Sequence, residues 1–356
     1  MSNAKNLKIK QIDKKNISFK ELSLIKNMIF WVDIIPDDQT HKNAIFAKPF
    51  NDKNAIPQKL TGDNFYIKSN FHGYGGKSYQ CIEVHDQIYL IWVDQLSKAL
   101  WLKILKVRKL VHKNDNEYLL CDMEPIQLTK SIEINFDTSF VISKNSLLYG
   151  LCEIKNIDYL FSLSLKKTLQ EIRKIKKFDN FVGNLSSNTS ANLFSWVEWD
   201  TTSMPWERNE LFLASIDKDG EIQKIKKFSN NLINENKNVS FFQPYWMSDN
   251  ALVCSEDSTG WWNLLFLDVT NIKNIILKKR IIKPLTEYGS PQWVSGISFV
   301  SGNIKNLFCV AKKENSWLLE HYQDCECIKE LKLPFCSISD LDVCDRKLVI
   351  RGCSFG

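Results

Sequence analysis

Histidine is scarce in this chain, with five in 356 residues, and no two stand at metal-ligand spacing, so no metal site is expected. The ten cysteines include no Cys-x-x-Cys pair; the tightest spacing is Cys325-x-Cys327. That is too sparse for a disulfide scaffold, and it fits thiols of a reducing cytosol. No apolar run approaches the roughly 18 residues of a membrane helix. The start, 1–16, is lysine-rich without an apolar stretch, so no secretory signal is read there. Excess charge is also small: 47 Lys and Arg against 41 Asp and Glu leave +6. The short basic runs Arg173–Lys177 and Lys224–Lys227 read as solvated turn flanks, and neither comes with a nucleic-acid-binding motif. Helical periodicity is nearly missing. The best candidates, Phe19–Lys26 and Ser164–Lys177, are short and rich in lysine.

What the chain has is a repeat. A β-rich run, a polar turn and a second β-rich run recur about every 40–60 residues. Met28–Val32 leads to Ala44–Ala47, Gln87–Trp92 to Ala99–Leu102, and Leu147–Leu151 to Asp158–Ser162. Asn192–Trp196 leads to Glu210–Ala214, Ala251–Cys254 to Asn263–Leu267, and Leu307–Val310 to Trp317–Glu320. A last half-unit, Lys347–Ile350, stands alone. The runs have strand length and β-branched or aromatic composition, and the turns carry Asp, Asn, Gly and Pro. A single four-stranded sheet cannot cover both of its faces, but sheets stacked radially cover one another, and 12% aromatic residues suit such flat contacts. The expectation is an all-β fold, a β-propeller of seven blades with the last incomplete; six or eight are also compatible. A sandwich remains the competing all-β arrangement. Residues 1–24 are read as an N-terminal extension and 25–356 as the propeller domain.

Three segments rise above the repeat. Phe71-His72-Gly73-Tyr74-Gly75-Gly76 reads as a tight loop entering a blade, since adjacent glycines permit positive φ and close backbone approach. Trp196-Val197-Glu198-Trp199-Asp200 is followed by Met204-Pro205-Trp206-Glu207, and Pro205 makes the latter a loop between strands. Gln243-Pro244-Tyr245-Trp246 precedes Asp257–Gly260, a hairpin turn, and the pair Trp261-Trp262. The tryptophans can serve as inter-blade packing or face a partner domain or substrate cavity. The candidate interface or cavity residues are His72, Tyr74, Met204, Trp206, Trp261 and Trp262. Glu198, Asp200, Glu256 and Asp257 read as turn caps and surface charges.

These segments resemble, in order, signatures of the acylaminoacyl-peptidase and dipeptidyl-aminopeptidase branch of the prolyl oligopeptidase family. His72–Gly76 matches the first, Trp196–Leu211 the second, Phe242–Trp246 with Gly260–Leu264 the third, and Tyr288–Trp293 the fourth. Lys77 replaces a usual glycine, and Tyr245 and Met247 flank Trp246 where charged and Ser-like residues are common. The resemblance, over 25–350, implies an N-terminal propeller that caps an α/β-hydrolase domain and favours short peptides. No such domain follows Gly356 in this sequence. Gly352-Cys353-Ser354-Phe355-Gly356 matches G-x-S-x-G by letter, but an elbow needs a helix after the serine, with Asp and His beyond it. No catalytic residue and no cofactor is therefore assigned. The expected role is the non-catalytic, substrate-gating portion of a serine exopeptidase that hydrolyses short peptides or acyl-peptides. Its partners would be the hydrolase domain and short peptides, with no nucleic acid and no membrane. The alternative is a stand-alone protein-interaction scaffold.

Overall fold

The structure is a computed structural model that describes residues 20–35, 42–109, 117–121, 123–131, 133–229, 233 and 238–354. The recurring runs form the two central strands of each blade. Met28–Ile34 pairs with Asn43–Pro49, Gln87–Asp94 with Ala99–Lys109, and Leu147–Ile154 with Ile157–Ser164. Leu193–Trp199 pairs with Glu210–Ile216, Ala251–Glu256 with Asn263–Asp268, and Asn306–Lys313 with Ser316–Gln323. These strands are covered on both faces, so their sequences are continuously apolar. A first and a last strand flank each pair, and all ladders are antiparallel.

Among the described residues there are six sheets of four or five strands and one of two, Ser337–Cys344 with Lys347–Cys353. A hydrophobic cluster fills each junction. Phe30, Ile45, Leu90 and Trp92 join the first two blades, and Val197, Leu213, Trp246 and Leu252 join the fourth to the fifth. Phe242, Phe299, Leu319 and Ile338 join the sixth blade to the two-stranded sheet, which meets the first blade through Leu24, Ile29, Trp31 and Val349. The ring thus closes as a β-propeller of six blades, with the two-stranded sheet seated between the sixth and the first. Each fully buried Leu or Phe at these junctions contributes about 1.5–3 kcal/mol.

Several sequence expectations change here. The helix candidates are strands: Lys20–Ile25 is the first strand of the first blade, so pairing starts inside the segment assigned to the extension, while Phe19 lies outside the described residues. Ile157–Ser164 and Arg173–Lys177 are the third and fourth strands of the third blade. The basic runs are last strands rather than turn flanks. In Ile222–Lys227 every second residue is exposed, as one-sided packing requires.

Chain direction fixes which loops share a face. First strands of neighbouring sheets touch one another, which places them around the axis. Alternating antiparallel strands put every connection between second and third strands on the same face as every connection between blades. Lys20, where a first strand begins, and Cys353, where a second strand ends, lie on that face too.

Candidate functional site

Three loops on that shared face build a cavity. The first runs from the first blade to the second by a detour. Lys68 N–H donates to Val93 O at 3.3 Å, and Ser69 Oγ donates to Phe136 O at 2.7 Å. A single 3-10 turn, Phe71–Gly73, follows, with Phe71 buried in the cluster between the third and fourth blades. His72 sits in the left-handed region at φ 51°, and its ring stacks on Phe71 at 3.8 Å. Its Nε2 lies 2.8 Å from Oδ2 of buried Asp158, an oxygen that also accepts Val182 N–H at 3.0 Å. The edges of Phe181 and Trp199, 5.0 and 5.7 Å away by centroid, complete the imidazole's surroundings.

The second loop connects Leu193–Trp199 to Glu210–Ile216, and Pro205 lies in it as expected. Glu207 Oε2 accepts Met204 N–H at 2.8 Å. The carbonyl of Pro205 is clamped by Asn209 Nδ2 at 2.7 Å and Ser240 Oγ at 2.8 Å, and Asn209 also pairs both ways with the backbone of Phe241. This buried clamp fixes the direction of Trp206. The third loop interrupts the first strand of the sixth blade, between Thr286–Glu287 and Val300–Asn303. It presents Trp293 with its ring 4.3 Å from that of Trp206 at a 44° tilt, and 6.4 Å from Tyr74.

The first and third loops join across the ring, although their blades are not neighbours. Gly76 and Ser295 form a parallel bridge, and Lys77 N–H donates to Ser295 O at 3.1 Å. Gly76 has φ 150°, and a Cβ there would lie 2.6 Å from Ser295 O, so only glycine fits. Ser295 Oγ donates to Asp137 Oδ1 at 2.6 Å, and Thr138 Oγ1 donates to Lys77 O at 2.8 Å, tying in the third blade. Burial raises the pKa of Asp137, against the lowering effect of the Ser295 hydrogen bond.

The enclosed space is about 450 Å³, within the range of small-ligand sites. Of the six residues selected from sequence, His72, Tyr74, Met204 and Trp206 line it together. Trp261 and Trp262 do not. Trp262 is buried, its ring stacked on Phe242 at 5.9 Å and backed by Gly289, and its backbone N–H donates to Glu287 Oε2 at 2.7 Å. Trp293, Gln292, Asn184, Phe181 and Trp199 also line the cavity but are not among the six selected residues, although Trp199 lies in a segment the sequence marked out. For Trp293 and Gln292 the signal was the Tyr288–Trp293 motif itself. No Lys or Arg lines the cavity among the described residues, and Glu207 is the one carboxylate.

Of the four carboxylates read as turn caps and surface charges, Asp200 is a turn cap, whereas Glu256 is a buried ion-pair partner rather than a surface charge. Asp200 accepts Thr202 N–H and Oγ–H, which lower its pKa. Glu256 is fully buried and bound by Arg280 Nε and Nη2 at 2.9 and 2.6 Å. Burial raises Glu198, which accepts Trp196 Nε1–H, and raises Asp257 to about 6. Ser354 follows the final strand, and Phe355 and Gly356 of its letter motif lie outside the described residues.

No protein-family model matches the sequence, and no curated protein does. Solved structures do match in fold. A puromycin-hydrolyzing peptidase of Mycobacterium tuberculosis superposes with a TM-score of 0.76 at 15% identity, over 94% of this chain and 49% of its own. Prolyl oligopeptidase B of Galerina marginata gives 0.53 at 8%, over 92% and 45%. The β-propeller domain of the Trilobed protease of Pyrococcus furiosus, described as having an open velcro topology, gives 0.57 at 11%, over 94% and 91%. The chain thus spans about half the length of the two whole peptidases and nearly all of the isolated propeller domain. At these identities the likeness establishes the β-propeller fold.

Proposed function

We propose that this chain is the non-catalytic propeller portion of a prolyl-oligopeptidase-like serine peptidase that acts on short peptides or acyl-peptides. One observation carries the reading: the cavity is lined by loops of the face where Lys20 and Cys353 also lie, so a domain joined at either end would lie close to it. The four aromatic signatures in family order support the acylaminoacyl-peptidase and dipeptidyl-aminopeptidase branch. Three of them meet at this one cavity. The ring would restrict what reaches a hydrolase domain placed there, and the Gly76–Ser295 bridge would direct substrates to the cavity side of the ring rather than along its axis. The nine cysteines whose side chains are described are unbridged, which favours a reducing cytosol. No helix among the described residues is long and apolar enough to cross a membrane.

Two measurements test this. The purified chain should not turn over aminoacyl or acyl-aminoacyl chromogenic substrates; inhibitor-sensitive turnover would overturn the non-catalytic role. Used as bait, it should retain a polypeptide that reacts with a fluorophosphonate serine-hydrolase probe, unless the DNA after Gly356 encodes that domain in continuity. Absence of both the retained hydrolase and the coding sequence would favour the scaffold alternative.

A further inference from the structure

We infer that the cavity is a subsite for one large aromatic side chain, carried by a peptide segment without a free carboxylate; the choice of a peptide as its carrier rests on the function proposed above. Tyr74 and Trp293 are 69% and 56% exposed, and Met204 is 46% exposed. Large apolar groups gathered at one concave place mark a binding site rather than random surface. Their geometry selects the ligand's shape. Trp206 and Trp293 meet at 4.3 Å and 44°, forming a notch, and Tyr74 stands edge-on to Trp293 at 6.4 Å. A planar ring entering the notch meets one indole face and one edge, the arrangements aromatic pairs prefer. A sugar would want a flat exposed platform, which two tilted rings do not supply. Met204 adds a thioether that adapts to the ring's edge.

The polar lining selects the rest. Asn184 Nδ2 donates to Gln292 Oε1, and Gln292 Nε2 donates to Phe241 O at 3.1 Å. The pair is held in place, while Asn184 keeps a carbonyl oxygen that suits a peptide N–H. Among the described residues no Lys or Arg lines the cavity, and the Nε2 of His72 already faces Asp158 at 2.8 Å, so the lining offers a terminal carboxylate no free cation to pair with. Glu207 accepts Met204 N–H through Oε2 and is exposed to solvent, so an ion pair with a basic side chain there would contribute little.

The experiment is a binding measurement on the full chain, by ligand-observed NMR and calorimetry. The probes are acetylated, amidated tripeptides with Gly flanking Phe, Leu or Lys, the Phe peptide as its free acid, and a cello-oligosaccharide. The blocked Phe peptide should bind at least tenfold more tightly than each of the others. Trp293→Ala should remove that preference, while Trp261→Ala, outside the cavity, should leave it intact. Equal binding of the Phe and Leu peptides, stronger binding of the Lys peptide or the sugar, or an unaltered preference in Trp293→Ala would overturn the inference. The readout needs no hydrolase partner. Loss of aromatic preference with a hydrolase captured or encoded in continuity sinks this inference alone, and aromatic binding with neither a captured nor an encoded hydrolase sinks the peptidase reading alone.

Discussion

Replacing Gly76 by alanine should break the bridge that joins two loops across the ring. The new Cβ would lie 2.6 Å from Ser295 O and 2.8 Å from Ser295 N and Cβ, at a backbone φ of 150°. Backbone strain of this kind costs about 1–3 kcal/mol. Moving Ser295 away also loses the Lys77 N–H···O bond, about 1 kcal/mol, and loosens the charge-assisted bond to Asp137, about 1.5 kcal/mol. The total is about 3.5–5.5 kcal/mol. With about 2.1 cal/mol/K of unfolding entropy per residue over 356 residues, that corresponds to a melting temperature lower by about 5–7 °C. Gly73→Ala is the matched control. Gly73 has φ 78°, but a Cβ there meets nothing within 4 Å. It should cost about 1–2 kcal/mol, or about 1–3 °C. Scanning calorimetry of both variants, with tryptophan emission to report the notch, decides the matter. Equal shifts for the two, or an unchanged melting temperature in Gly76→Ala, would refute the claim that the bridge holds the face together.

Three further outcomes are expected. Asp257 has its pKa raised to about 6, mainly by burial, while its unfolded value is near 3.8. The folded state therefore holds the extra proton between these values, and stability contributed by this group falls as pH rises through that window. Asp257→Asn should consequently raise the unfolding free energy in urea titrations at pH 8, by about 1–2 kcal/mol after allowing for solvent screening, and leave it unchanged below pH 4; a gain of the same size at both pH values would contradict the sign. Glu256→Gln leaves Arg280 half of a buried pair and should destabilise by about 3 kcal/mol in equilibrium denaturation. Gly289→Ala places a Cβ 2.8 Å from the Trp262 ring and should cost about 1–3 kcal/mol through overpacking, with a shifted emission of that buried indole; a wild-type melting curve would count against the packing described.

The central strands were legible because burial on both faces writes an unbroken apolar run, as in Leu211-Phe212-Leu213 or Leu264-Leu265-Phe266. Their flanking strands were not. Arg173–Lys177 is a solvent-side last strand with a single apolar residue, Ile175, and it resembles a loop by composition. The first strand Asn135–Phe136 has two residues, too few for any period. Phe241–Trp246 carries Pro244 beside a register shift, which reads as a turn until the bulge is seen. His72, Tyr74, Met204 and Trp206 stood out in the sequence because aromatics in loops marked by Gly and Pro differ from the strand runs, and the fold brings these four to one cavity. For Trp262 the sequence left packing and exposure both open, and the contact with Gly289 shows that this ring is packed. The meeting of Gly76 with Ser295 is a contact between distant parts of the chain, and no local pattern announces it.

That long-range meeting has a consequence for how the protein is born. Blades with local hairpins can take shape one after another as the chain leaves the ribosome, since domains and motifs fold as they emerge. The aromatic notch cannot. Tyr74 is made early, but it waits for Trp293 and Ser295 in the sixth blade before the notch and its tether exist. A nascent chain arrested after the fifth blade could already hold five formed sheets and would still lack the notch, which is completed only when the sixth blade has emerged.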